Sequence, residues 1–318
     1  MPEYKYVSQN GHNLYCHLVA VPASALFHEL HSSPLAHPAD LLSEKLKEVV
    51  DLYVRLADDV RDGEANAHRA DLTKALVLCV NEFYDQLFLI IKCLTPPGST
   101  EGQRQADILS LLRDSNGAVL NKFYAPTKGE HSLIRDIANV LKHQPSSIGL
   151  LQVVNHRGVS VQGFVVQSVI GPDDLRGPNR QIHPMYRLKV NTGISFNHFL
   201  LNVLGRMFSY MERLDAALFT TSSPTAECHL ANLDLLLETA QTIEYEFFPD
   251  EYKKPLAQLT TRRETKVVTF PYRSRPVRGE NPDHIQSVNS HALINPRTSR
   301  SHQMLPYLQL TRPDSDWV

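Results

Sequence analysis

The sequence has few cysteines and no marked excess of charge of either sign. Its 318 residues include four cysteines, none in a C-x-x-C pair, which argues against a disulfide scaffold. A net charge of -2 provides no global basic field to attract nucleic acid. The longest apolar runs are far too short to span a bilayer, and the N-terminus lacks the basic and apolar regions of a signal peptide. These absences predict a cytoplasmic protein without membrane contact.

Common signatures of nucleotide, hydrolase and metalloprotease sites are also missing. The sequence contains no P-loop, no G-x-G-x-x-G, no G-x-S-x-G and no H-E-x-x-H. No cofactor is therefore expected, and any activity has to come from a different arrangement of side chains.

The hydrophobic fraction of 42% and the length are those of a globular protein with about two domains. Changes in periodicity predict an α+β fold: an N-terminal up-and-down helical bundle, then a small β-hairpin or sheet with long helices, then a disordered tail. The predicted boundaries are 1–38 for an N-terminal strand and loop, 39–145 for the bundle, 146–272 for the α+β domain and 273–318 for the tail.

Within these regions, three- and four-residue apolar spacing predicts the helices and β-branched runs predict the strands. The strands are predicted at 13–21, 148–155, 159–170, 185–191 and 266–272. The helices are predicted at about 40–62, with Asp40 as N-cap, and at 64–94, 102–113, 118–124, 130–144, 194–219 and 230–243. The Pro-, Ser- and Arg-rich stretch from Arg273 has little periodicity and is predicted to be largely disordered.

One helical segment, L-I-R-D-I-A-N-V-L-K-H, carries polar residues that do not fit its apolar stripe. Arg135, Asn139 and His143 follow one another at four-residue intervals and so lie on one face of the helix. A helix that only packs does not need such a ladder, although a solvated face can also produce one.

This segment resembles the signature helix of the HEPN family, a family of helical bundles. That motif is an arginine, a polar residue such as asparagine, three variable residues and a histidine. Asn139 and His143 match, whereas Ala138 stands at the arginine position. The resemblance covers about residues 40 to 145.

The resemblance implies a dimer that binds or cleaves RNA without metal, in a toxin or phage-defence setting. A histidine exchanges the proton of the 2′-hydroxyl and an arginine holds the charge on the phosphate. His143, Arg135 and Asn139 are the candidate catalytic residues. The candidate phosphate contacts are Lys142 and four arginines of the basic C-terminal region, Arg262, Arg263, Arg273 and Arg275. The alternative is a structural role in which Asn139 and His143 hydrogen-bond within the bundle or its following loop and hold Pro145 in place.

Three further features have competing interpretations. Glu82 could reach Arg135 or Lys142 across the bundle, or belong to a solvated face. His12, Cys16, His17, His28, His31 and His37 crowd the N-terminus, but no recognised spacing links them to a second pair of metal ligands. Asp173 and Asp174 could bind a metal, but G-P-D-D is also a common turn.

Two functional hypotheses follow, and a third is weaker. The first is a HEPN-like RNA-binding protein or ribonuclease with RNA as partner. The second is a non-enzymatic protein-interaction platform that uses the bundle and the tail. The third is a metal-dependent hydrolase that uses the histidines and Asp173–Asp174.

Overall fold

A computed structural model shows that the chain folds into an α+β structure. The structure describes residues 4–31, 33–63, 67–97, 105–115, 117–155, 158–169, 176–179, 181–183, 193–219, 228–248, 250–262, 265–272 and 285–290.

In the middle of the chain, the helices lie close to the ranges predicted from the apolar spacing. Their bounds are α1 Ser8–Val19, α2 Pro38–Arg61, α3 Ala67–Cys93, α4 Gln105–Ser115, α5 Gly117–Val119, α6 Ala125–His143, α7 Phe196–Leu218 and α8 Ala231–Gln241, with a π-helical segment Leu120–Tyr124 between α5 and α6. The N-cap of α2 is His37, whose Nδ1 accepts from the Ala39 amide at 3.2 Å, and Asp40 lies in the first turn instead.

The strands form two antiparallel sheets. Their bounds are β1 Tyr4–Val7, β2 Ser146–Asn155, β3 Ser160–Val169, β4 Arg176–Pro178, β5 Ile194–Ser195, β6 Leu256–Arg262, β7 Thr265–Tyr272 and β8 Ile285–Ser290. One sheet has the order β1-β7-β6, and the other has the order β4-β3-β2-β8 with β5 also paired to β3. The predicted hairpin is confirmed, with Leu150 opposite Phe164.

The N-terminal segment and one stretch of the C-terminal tail differ from their predicted structure. The strand predicted at 13–21 is wrong, because Ser8–Val19 is the helix α1 and the strand lies earlier, at Tyr4–Val7. In the tail predicted to be largely disordered, Ile285–Ser290 is a strand paired with β2. The other residues of 273–318, and the strand predicted at 185–191, lie outside the described residues.

Helix α7 lies at the centre of the molecule. Most of its residues are buried, and it contacts α1, α2, α3, α6 and strands of both sheets. Gly205 permits a close approach of α7 to β7, because a Cβ at this position would overlap the Phe270 ring of β7. A continuous core therefore joins the predicted bundle to the residues after 145, and the boundary between the two predicted domains stays a prediction.

Candidate functional site

The predicted ladder of Arg135, Asn139 and His143 lies on the surface of the second half of α6. Asn139 and His143 are exposed. The Arg135 side chain is 43% exposed, and its Nε lies 3.6 Å from Asp136 Oδ1. Within the part of the chain that the structure describes, the side chains of Asn139 and His143 have no hydrogen-bond partner. Their polar atoms are therefore free to contact another molecule.

Ala138, which stands at the arginine position of the HEPN motif, is fully buried. An arginine at this position would point into the core. The face of α6 that carries Asn139 and His143 is exposed to solvent, whereas position 138 faces inward. Arg135 cannot simply replace it, because eight residues separate Arg135 from His143, about 12 Å of helical rise. Helical side chains also lean toward the N-terminus, so Arg135 leans away from His143.

Lys142, a predicted phosphate contact, makes the cross-bundle ion pair considered from the sequence. Its Nζ lies 3.7 Å from Glu82 Oε1 on α3, and Glu82 Oε2 also lies 3.4 Å from Lys45 Nζ. These side chains are partly exposed, so the pairs contribute little to stability. They do reduce the positive potential that Lys142 offers to a phosphate.

The remaining predicted phosphate contacts are not joined to this face. Arg262 is the last residue of β6, and its side chain is not described. Arg263, Arg273 and Arg275 lie outside the described residues. The described candidate surface therefore consists of the α6 ladder and Lys142.

A second polar group on α6 is buried and was not predicted from the sequence. The His131 ring stacks on Tyr84 with centroids 4.0 Å apart and an interplanar angle of 16°. Its Nε2 lies 3.1 Å from Asn81 Oδ1, and its Nδ1 lies 3.3 Å from the Tyr210 hydroxyl. Burial, with nearby Arg206, lowers the pKa of His131 to about 3. The ring is therefore neutral, with Nε2 donating to Asn81 and Tyr210 donating to Nδ1.

Next to His131, an ion pair links α6 to the central helix. Arg213 Nη2 donates to Glu130 Oε1 at 2.9 Å, and the Ser209 hydroxyl donates to Glu130 Oε2 at 2.9 Å. Both charged side chains are nearly buried. One signal in the sequence could have indicated that His131 is buried. It lies at helical spacing from three core residues, Ile134, Ala138 and Leu141.

Several of the other predicted candidates have structural contacts. His17 Nδ1 lies 2.7 Å from Asp215 Oδ1, and His31 Nε2 lies 3.0 Å from the Lys92 carbonyl oxygen. The rings of His28 and His37 meet edge to face with centroids 5.9 Å apart. Asp173 and Asp174 lie outside the described residues. Among the described residues, His28 and His31 belong to no group of potential metal ligands, and the His31 ring contacts the α3 backbone.

Comparison with family models, curated proteins and solved structures finds no match for this chain. The resemblance to the HEPN family thus stays a prediction that rests on the α6 segment. Among the described residues, no helix has the length and apolar character needed to cross a membrane.

Proposed function

We propose that this chain acts on RNA in the cytoplasm through the exposed face of α6. The observation that supports this is the row of hydrogen-bond donors formed by Arg135, Asn139 and His143 on one exposed helix face. Guanidinium, amide and imidazole groups are common partners of phosphate and sugar oxygens, and Lys142 adds a cation beside them. The HEPN resemblance points to the same class of ligand, and to a toxin or phage-defence setting.

Cleavage by this face requires two copies of the chain, because Arg135 and His143 of one helix are too far apart to hold one phosphate. An antiparallel pairing of two α6 helices about a two-fold axis at Asn139 puts residues four positions before and four positions after it opposite each other. His143 then faces the partner's Arg135, and two composite sites form in each dimer.

In such a composite site the reaction needs no metal. The 2′-oxygen attacks the adjacent phosphorus while His143 takes the hydroxyl proton, and the bond from phosphorus to the 5′-oxygen breaks. The products are a 2′,3′-cyclic phosphate and a 5′-hydroxyl end, with the proton passed on to the leaving oxygen. The partner's Arg135 stabilises the negative charge on the phosphate oxygens.

The test uses the purified full chain with single-stranded RNA in the presence of a chelator. We expect RNA to be cleaved, and we expect Arg135→Ala and His143→Ala to lose at least about 100-fold in rate, as general acid–base and charge-stabilising groups do. Mixing the two inactive variants restores activity, because each mixed dimer contains one intact composite site. Lack of recovery on mixing, with both variants dimeric, contradicts the composite site.

A protein-interaction platform is the second candidate, and the acidic neighbours of the ladder favour it. Asp136 and Glu82 pair with Arg135 and Lys142, and such mixed charge is less suited to a polyanion than to a protein surface. If the chain neither binds nor cleaves RNA at low salt, RNA action is wrong. Deletion of residues 273 to 318 then tests whether the tail contributes to capture of a defined protein.

A further inference from the structure

Three potential metal ligands meet where α1 lies against the chain that leads into α8. His229 Nε2 lies 3.0 Å from Asp234 Oδ2, and His12 Nε2 lies 3.9 Å from Asp234 Oδ1. The ligand atoms of all three residues lie within 4.8 Å of one another. In the sequence, His12 and its neighbours lacked a second pair of ligands at a recognised spacing. The fold brings that second group from more than 200 residues away.

Other contacts hold α1 against residues 228 to 234 before any ion binds. The rings of His12 and His229 stack with centroids 5.2 Å apart. His12 Nδ1 accepts from the Leu230 amide at 3.1 Å. The Cys16 thiol, one turn after His12, donates to the Cys228 carbonyl at 3.3 Å and accepts from the Cys228 amide at 3.2 Å. The ligands are thus arranged by packing of the backbone as well as by their own charges.

We propose that His12, His229 and Asp234 bind a Zn²⁺ ion, with water as the fourth ligand. Two imidazoles and a carboxylate are ligand types that zinc takes, and a water molecule often completes such a tetrahedral site. Mg²⁺ and Ca²⁺ prefer sites built from oxygen alone, so they fit this group poorly. The proposal concerns different residues from the α6 ladder and does not rest on the proposed function.

Binding requires a small contraction of the group. Zinc holds nitrogen and oxygen ligands at about 2.0–2.2 Å, so the three ligand atoms move closer together. The His229 side chain, 69% exposed, has room to move. The proton of neutral His12 also moves from Nε2 to Nδ1, and the bond from the Leu230 amide is given up. Because Leu230 is the N-cap of α8, metal loading shifts the start of this helix.

The test begins with the full chain stripped of metal by a chelator and titrated with Zn²⁺ against a competing zinc indicator. We expect one equivalent to bind. Loss of groups that only support metal ligands typically costs 10–100-fold in affinity. We therefore expect His229→Ala and Asp234→Ala to weaken binding by at least about 100-fold. His68→Ala is the matched control, because His68 is an exposed histidine on α3 outside the cluster, and it leaves binding unchanged.

Co²⁺ in place of Zn²⁺ tests the geometry of the site. We expect the visible absorption bands of tetrahedral cobalt with nitrogen and oxygen ligands, and we expect His229→Ala to lose them. Tetrahedral bands that are unchanged in His229→Ala contradict the assignment of His229. Zinc binding that is equal in wild type, His229→Ala and His68→Ala, with circular dichroism showing all three folded, overturns the site itself.

Discussion

The two halves of helix α6 use the same kinds of side chain in opposite ways. In the first half, His131 is 3% exposed and both ring nitrogens have partners on neighbouring helices. In the second half, His143 is exposed and, within the described residues, has no hydrogen-bond partner. The first half connects α6 to α3 and α7, whereas the second half offers polar atoms to the outside. A rigid, anchored helix that ends in free donors is a suitable support for a binding surface.

The largest difference between the two halves is expected in stability. His131→Ala removes a ring stacked on Tyr84. It also leaves Asn81 Oδ1 and the Tyr210 hydroxyl without their hydrogen bonds to this ring. We expect a loss of about 3 kcal/mol in the free energy of unfolding. His143→Ala, on the exposed half, changes it by less than about 0.5 kcal/mol. Urea denaturation of both variants measures the two values, and similar losses would remove the distinction.

The ion pairs of the two halves differ in the same direction. Glu130→Gln weakens the nearly buried pair with Arg213, and we expect about 2 kcal/mol of destabilisation, below the usual cost for a fully buried pair. Glu82→Gln weakens the exposed pairs with Lys142 and Lys45, and we expect less than about 0.5 kcal/mol. Thermal unfolding of both variants at one ionic strength compares them. A larger effect of Glu82→Gln would mean that the surface pairs matter more than their exposure indicates.

The buried half also predicts a dependence of stability on pH. Because the pKa of His131 is about 3 in the folded protein, against 6.5 ordinarily, the unfolded chain binds a proton that the folded chain does not between these values. Stability therefore falls as the pH falls from 6.5 toward 3, by about 1.4 kcal/mol per pH unit from this group. His131→Phe lowers that slope by about one proton relative to wild type. Denaturation series at pH 6 and pH 4 measure the change in stability with pH in both proteins. If His131→Phe and wild type lose the same stability between the two pH values, the assignment of a neutral buried ring is wrong.

The smallest expected effect concerns the exposed half. Glu82→Gln frees Lys142 from its ion pair, so RNA binding should tighten by about threefold at low salt, consistent with the small energy of an exposed pair. Lys142→Ala should weaken binding and lower the slope of log affinity against log salt by about 1. Fluorescence anisotropy with a labelled single-stranded RNA measures both. An unchanged salt slope in Lys142→Ala places the RNA elsewhere.

The long helices could be predicted because their apolar stripes repeat over many turns. In α2, Leu42, Leu46 and Val49 are buried as the spacing indicated. The short apolar run at 13–21 fits a strand or a buried helix equally well, and the helix that forms packs against α7 and α2, which local spacing does not specify. Strand β6 was missed because its alternation is weak and its pairing with β7 determines it.

The candidate site was predicted in part for a similar reason. Residues four apart on a helix necessarily share a face, so the ladder of Arg135, Asn139 and His143 could be placed from sequence. The partners of His131 come from α3 and α7, and those of His12 come from residues 228 to 234. Contacts between segments so far apart depend on tertiary packing, which local spacing does not specify.

The pairing of β1 with β7 has a consequence for synthesis of the protein on the ribosome. Tyr4 lies opposite Phe270, so β1 leaves the exit tunnel long before the strand that becomes its hydrogen-bonded neighbour. Helix α1 packs against α2, which follows it closely, but also against α7, which is made much later. The nascent chain therefore exposes the part of α1 that α7 covers until α7 leaves the tunnel, a period in which a chaperone that binds apolar segments would have its target.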